Sequence, residues 1–268
     1  RPGGVQRSVF SYLGYEPASE AALNAYLTFL DHLPQGDGKI FASFEMEGAL
    51  PCCSKDRGDA AMLAYGAAHY SLCRGDLTVA RQLWPLIRWG LDYCQRRLND
   101  AGVVRSDSDE MEGRLPTGTA NLSTSSLYYA ALRLSAHLAA SLGHEQAYVQ
   151  GLNQRADQLA RAIEVYFGAS IGGYNTYRYF EGHDALRHWI TLPLAMGLTA
   201  RADETVRALF GPMWTEQGVR VEWRPDGSSP DLFWDRGTLY ALRAGLRVGA
   251  TDQTFEKVQA YTQTSLLG

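Results

Sequence analysis

The chain has 268 residues, 46% hydrophobic and 20% charged, with a formal net charge of −4. That supports one large core or two ordinary ones. Lys and Arg form no blocks, which argues against nucleic acid as a main ligand, and no apolar run approaches the ~18 residues of a membrane span.

The opening Arg1-Pro2-Gly3-Gly4 reads as a linker, and residues 1–19 as a lead-in to one helical region covering 1–268. The expectation is a trimmed piece of a longer chain. Apolar residues then recur at three- and four-residue spacing in Ala21–Leu33, Asp59–Arg74, Thr78–Leu98, Thr124–Leu142, Glu145–Phe167, Leu186–Thr199, Asp203–Phe210, Phe233–Val248 and Thr251–Leu267. Pro85 predicts a kink or a restart in the third of these. Strand alternation is scarce: Val219–Trp223 is the best candidate and Gly172–Phe180 a weaker one. Cys52 and Cys53 are adjacent, Cys73 and Cys94 fall in helical patterns, and no C-x-x-C pair exists. Neither a zinc site nor a redox motif is indicated, and buried free thiols are expected.

Four short links, "CRGDLTVA", "SLGHEQAY", "LTARADET" and "RVGATDQT", each join two helices. Three place Gly near a C-cap, with Asp or Thr following to cap the next helix. Such links make antiparallel helical hairpins. The first helix of the first two hairpins is apolar nearly all round, with Arg74 its one charged residue in Ala60–Arg74 and Arg133 in Ser125–Leu142. The second helices are amphipathic. Apolar helices belong inside and one-striped helices outside, so the expected fold is an all-α (α/α) toroid.

In a ring of hairpins the loops leading into the inner helices share one end. They are long and chemically rich here. The first holds Glu45, Glu47, Lys55, Asp56, Arg57 and Asp59. The second, "SDSDEMEGRLPTGTANLS", holds Asp107, Asp109, Glu110, Glu112 and Asn121. The third holds Tyr174, Asn175, Tyr177, Arg178, Tyr179, Glu181, His183, Asp184, Arg187, His188 and Trp189. The fourth holds Glu222, Trp223, Asp226, Asp231, Trp234, Asp235 and Arg236. Carboxylates, amides and guanidinium groups hold vicinal hydroxyls, and Tyr and Trp supply flat apolar area with a polar handle. A carbohydrate is the substrate class this composition suits.

Glycoside hydrolysis needs a carboxyl that protonates the leaving oxygen and a second that activates water or attacks carbon. The acidic loop offers Asp109 and Glu110 for the proton if it is partly buried; a solvated acidic turn is the bland reading. It fails the EF-hand pattern, with Met111 at the fifth position and Glu112 at the sixth, so no metal or other cofactor is expected. Asp59 reads equally as a helix cap and a sugar ligand. Arg57 and Arg236, each beside an Asp, could fix a hydroxyl or form structural pairs. No G-x-S-x-G, H-E-x-x-H or phosphate loop is present.

With these residues in view the chain resembles the six-hairpin, (α/α)6-toroid glycosidases. "SKDRGDAAMLAYGAAHYSLCRGD" is similar to a segment of α-L-rhamnosidase-like members. "GVVRSDSDEMEGRLPTGTANLSTSSLYYAALRLSAHLAASLG" resembles the acid-bearing loop and inner helix of glucoamylase-like members. "SSPDLFWDRGTLYALRAGLRVG" resembles a late inner helix. The resemblance implies an inverting hydrolase of an oligo- or polysaccharide. Its acid is Asp109 or Glu110 on the glucoamylase pattern and Asp56 on the rhamnosidase one. Arg57, Asp59, Asp107, Glu112, Asn121, Tyr177, His188, Trp189, Trp234, Asp235 and Arg236 become the expected sugar contacts. It also implies a secreted or periplasmic protein, an N-terminal β-sandwich, and a C-terminal segment completing six hairpins where four are legible. Two rivals share the toroid: a sugar epimerase using His183 or His188 as base, and a carbohydrate-binding toroid without catalysis.

Overall fold

The structure, a computed structural model, describes residues 16–28, 58–106, 108–109 and 114–266. It divides into two compact units, Arg1–Ala162 and Ile163–Gly268.

The first unit is helical: α1 (Glu16–Thr28), α2 (Asp59–Arg74), α3 (Leu77–Arg96), α4 (Leu122–Ser141) and α5 (Gln146–Phe167), the last running across the division between units. Helix α2 buries residues on every side, from Ala60, Ala61 and Met62 through Tyr70 and Ser71. Ala and Gly make that possible, because small side chains let neighbouring backbones approach. Gly90 of α3 is the clearest case: a Cβ there would stand 2.8 Å from the Ala60 carbonyl oxygen and 2.9 Å from Ala64 Cβ. Helix α3 buries one stripe, including Leu83, Leu86, Ile87 and Leu91, and exposes Arg81, Arg88, Asp92 and Arg96. Each such leucine removed from water stabilises the fold by roughly 1.5–3 kcal/mol. The hairpin turn is capped as the sequence predicts. Gly75 closes α2 at φ 68°, and Asp76 accepts the Thr78 and Val79 amides to open α3. Pro85 produces no restart: α3 is continuous through it, with the proline on the exposed face. Cys94 is buried as expected, but Cys73 is exposed on the last turn of α2.

The second unit contains the hairpin β1 (Gly168–Ile171) and β2 (Tyr174–Tyr177), then β3 (Leu186–Arg187), a 3-10 turn over His188–Ile190, and α6 (Thr191–Met196). Next come α7 (Ala202–Phe210), β4 (Trp214–Thr215), β5 (Gly218–Val219), β6 (Glu222–Trp223), α8 (Asp235–Arg247) and α9 (Thr251–Tyr261), which runs into a π turn over Thr262–Leu266. Two expectations change here. The helix read over Leu186–Thr199 is only the six residues of α6. Leu186 and Arg187 pair antiparallel with Trp223 and Glu222 instead. The strand read over Val219–Trp223 is broken: Val219 pairs with Trp214, while Glu222 pairs with Arg187. The Gly172–Phe180 reading holds over β2, which pairs with β1.

The buried helices of each unit start at a common end. In the first unit a Cβ on Gly58, the N-cap of α2, would meet Thr124 Oγ1 of the first turn of α4 at 2.7 Å. In the second, a Cβ on Gly237 in the first turn of α8 would meet His188 Cδ2, just ahead of α6, at 2.8 Å. The far ends of α6 and α8 meet as well, Gly197 facing the Arg247 guanidinium. Inner helices therefore run side by side in the same direction within each unit.

Candidate functional site

In the first unit the described parts of the loop before α4 are tied down at both ends. Bridges Leu98↔Val104 and Arg105↔Ala120 close it, and the Ser106 amide donates to the Thr119 carbonyl at 2.9 Å. Asn121 is the hub. Its Oδ1 accepts the Thr124 amide at 3.0 Å and the Ser123 hydroxyl at 2.9 Å, and its Nδ2 donates to the Ser108 carbonyl at 3.0 Å. Asn121 thus caps α4 and anchors the acidic loop, with no exposed surface of its own. The loop is not a solvated turn at Asp109, which is 1% exposed beside buried Ser106 and Ser108. Asp56, Arg57, Asp107, Glu110 and Glu112 lie outside the described residues.

The Gly58 contact brings the start of α2, and with it half-buried Asp59, against this same end of α4. Asp59 does not hold the cap position, which is Gly58, at φ 84°. Asp59 is the first helical residue, where a carboxylate favours the positive end of the helix dipole. Thr124 Oγ1 at the junction is buried and has no hydrogen-bond partner among the described residues. Asp59, Asp109, Asn121 and Thr124 are thus gathered around one pair of helix starts.

The second unit holds a buried charge cluster at its own helix starts. Glu222 is 1% exposed. Its Oε2 accepts Arg187 Nε at 3.1 Å, Arg187 Nη2 at 2.8 Å and His183 Nε2 at 3.2 Å; its Oε1 accepts Arg224 Nε at 2.8 Å and Nη2 at 2.7 Å. Burial alone would raise this carboxyl. The His183 hydrogen bond, the Arg187 charge and the Arg224 hydrogen bond together outweigh it and hold Glu222 down to about 2. Glu222 is therefore a fixed anion, unsuited to giving a proton. The register Arg187↔Glu222 explains the pairing: opposite residues of an antiparallel pair project to the same face.

His188 is fully buried. Its amide and its Nδ1–H both donate to the Val221 carbonyl, at 3.0 and 3.1 Å. Burial pushes its pKa down to about 3, with the Arg187 charge adding to the effect. It stays a neutral imidazole near neutral pH. Trp189 is core, packed edge-on to Trp234 at 5.6 Å and Tyr240 at 5.9 Å. Trp234 is part-exposed and lies under the Arg236 guanidinium at 4.9 Å. Asp235 opens α8 and accepts the Tyr261 hydroxyl at 2.6 Å. Tyr177 is fully buried and donates its hydroxyl to Glu164, which Arg201 also binds at 2.9 Å. Of the expected sugar contacts here, Trp234, Asp235 and Arg236 reach the surface, whereas Tyr177, His188 and Trp189 lie inside. His183 entered only as a candidate base, and Glu222 and Arg187 only as members of their loops; nothing local marked the three as one cluster. The usable signal was a charged residue set between apolar ones in two short strands, Leu186-Arg187 and Val221-Glu222-Trp223.

Among the described residues no group of three His, Cys, Asp or Glu side chains could hold a metal ion, and no helix is long and apolar enough to cross a membrane.

No protein-family model and no curated protein sequence matches the chain. Solved structures do. A rhamnosidase from Klebsiella oxytoca with rhamnose bound superposes with a TM-score of 0.61 at 18% identity, over 86% of this chain and 42% of that one. A glycosidase variant in complex with glucose superposes with a TM-score of 0.63 at 15% identity, over 88% of this chain and 62% of that one. The chain has a glycosidase-like fold. Its class is the all-α helical toroid, and it spans about two-fifths and three-fifths of the two chains it matches.

Proposed function

We propose that the chain is the helical catalytic region of an inverting glycoside hydrolase acting on an oligo- or polysaccharide, with Asp109 as the carboxyl that protonates the leaving oxygen. The observation that carries this reading is the burial of Asp109 in a loop anchored by Asn121 at the start of α4. A carboxyl held out of water in a loop anchored at a helix start is in the kind of place acid catalysis uses. The fold likeness to sugar-bound glycosidases supports the substrate class. Glu110 and Asp56 remain the other acid candidates, and Asp59, Trp234, Asp235 and Arg236 the sugar contacts. Further hairpins, an N-terminal β-sandwich and a secreted or periplasmic setting belong to the same proposal.

The chemistry is a single displacement. The acid gives its proton to the glycosidic oxygen as the bond to the anomeric carbon breaks, and a water activated by a second carboxylate attacks from the opposite face. The test is a screen of nitrophenyl glycosides and polysaccharides, followed by Asp109→Asn on any substrate cleaved. General-acid catalysis contributes about 10²–10⁴-fold, so kcat should fall by that order, and less on nitrophenyl substrates, whose leaving groups need little protonation. Proton NMR of the first product should show inverted configuration. An Asp109→Asn variant with full activity on a natural glycoside would remove Asp109 from the role.

A further inference from the structure

Asn121 carries one group more than its cap requires. A helix cap needs only an acceptor oxygen, which Asp, Ser or Thr would supply as well. Asn121 uses its Oδ1 that way, accepting the Thr124 amide at 3.0 Å and the Ser123 hydroxyl at 2.9 Å. Its Nδ2 is surplus to capping and donates to the Ser108 carbonyl at 3.0 Å. The partners leave no choice of orientation. A backbone amide only donates and a carbonyl only accepts, so the side-chain oxygen faces Thr124 and the nitrogen faces Ser108.

The Ser108 carbonyl takes a second donor, the Ser106 hydroxyl at 3.0 Å, which engages both of its lone pairs. Ser106 is itself fixed: its amide donates to the Thr119 carbonyl at 2.9 Å, next to the Arg105↔Ala120 bridge. The clamped carbonyl belongs to the peptide unit that also contains the nitrogen and Cα of Asp109, and such a unit is planar. Holding its oxygen from two sides fixes the plane from which the Asp109 side chain springs. Asn121, Ser106 and Ser108 are buried, as Asp109 is, so water does not compete for these bonds. One donor stands at the start of α4, a 20-residue helix, so the acidic loop takes its position from the helix.

We propose that Asn121 and Ser106 are positioning residues for the general acid: together they clamp the peptide plane on which Asp109 is mounted. The assignment rests on the reading of Asp109 as the acid, and it gives Asn121 a role other than the sugar contact expected of it.

The test is Asn121→Asp in the whole chain. The new side chain keeps the cap, because Oδ1 still accepts from Thr124 and Ser123. It also turns a carboxylate oxygen toward the Ser108 carbonyl, so the clamp changes from attraction to repulsion. Circular dichroism and urea denaturation check that the variant is folded. Activity is then compared on the phenyl and 2,4-dinitrophenyl glycosides of one sugar, with L-rhamnose and D-glucose first and then whichever sugar the screen identifies. A phenoxide leaving group needs the proton of the acid, and dinitrophenoxide needs little of it. On the phenyl glycoside kcat should fall roughly 10²-fold, the cost of about 1 Å of misplacement, with KM little changed. The dinitrophenyl glycoside should lose far less, a contrast that a merely structural defect would not produce. In an Asp109→Asn background, Asn121→Asp should cause no further loss, since the clamp then positions nothing. Ser106→Ala adds no charge and leaves the cap intact. It should show the same contrast at smaller amplitude, and it decides the matter if Asn121→Asp does not fold. Full kcat in the folded variants, or equal losses on both glycosides, overturns the assignment. The acid reading then stands if Asp109→Asn shows the leaving-group contrast by itself. If Asp109→Asn shows no such contrast, or no glycoside is cleaved, the reading of Asp109 fails and this assignment falls with it.

Discussion

His188 and Glu222 make the second unit sensitive to acid, in two separable windows. His188 has a folded pKa of about 3 against an ordinary value of 6.5. Between these, the unfolded chain holds a proton that the folded one refuses, so stability falls as pH drops from 6.5 and the loss is complete near 3. Each pH unit in that window costs about 1.4 kcal/mol. Glu222, at about 2 against 4.5, adds a second loss that begins only below 4.5. Denaturant titrations at pH 7.5, 5.5 and 4.0 should show the first slope on its own before the second joins it. His188→Asn can still donate to the Val221 carbonyl and does not titrate, so it should flatten the dependence between 6.5 and 4.5. An unchanged slope in that variant would mean that His188 is not the group responsible. Neither residue's role could be read locally. Glu222 finds Arg187 and His183 at separations of 35 and 39 residues, and His188 owes its neutrality to burial, reinforced by the Arg187 charge, while its Nδ1–H is held by the carbonyl of Val221, 33 residues away. Asn121, expected as a sugar contact, is instead the fully buried cap of α4, a role set by residues within a few positions of it, and it anchors the loop in which Asp109 is buried.

At the scale of the element, a glycine at the start of α2 and another in the first turn of α8 set how closely neighbours approach. Gly58 sits in the left-handed region, and a Cβ there would also press on Thr124. Gly58→Ala should therefore cost about 1–2 kcal/mol for the backbone conformation and about 1–3 kcal/mol for overpacking. Thr124→Ala removes an orphaned hydroxyl and the atoms in conflict, so the double variant should recover the packing share and retain the backbone share. A double-mutant cycle by urea denaturation measures that coupling; strict additivity would show that the two residues do not press on each other. The long helices were readable because 16- to 22-residue patterns average out local exceptions. The misreadings are short. Leu186–Thr199 looked helical because its apolar residues suit either period, and a cross-strand partner took its first two positions. Val219–Trp223 alternates like one strand, yet its two ends pair with different segments.

For the whole molecule, the two buried acid-sensitive groups among the described residues, Glu222 and His188, lie within residues 163–268; in the first unit Asp76 is held below its ordinary value by the Thr78 amide but sits on the surface, and Tyr128 is perturbed by burial toward higher pH. Hydrogen exchange at pH 5, corrected for intrinsic rates and compared with pH 7, should lose protection in α8 and the β3–β6 pair more than in α2 and α4. Equal losses in both sets would argue against localised titration. The helical class was visible from hairpin links and buried first helices, and the glycosidase-like fold agrees with it. What composition could not supply was which rim residues stay wet. Tyr177, His188 and Trp189 have the chemistry of sugar contacts and are spent on the interior.

The hairpin turns at the opposite helix ends offer a practical handle. Gly75 and Gly143 in the first unit and Gly249 in the second each face open space, with nothing within 4 Å of where a side chain would begin. A few residues inserted beside Gly75 or Gly143 would emerge at the far ends of α2 and α4 from the helix starts near Asp109, and an insertion beside Gly249 at the far end of α8 from Asp235. A surface attachment or fluorescent label at one of these turns would leave the helix starts of its own unit uncovered.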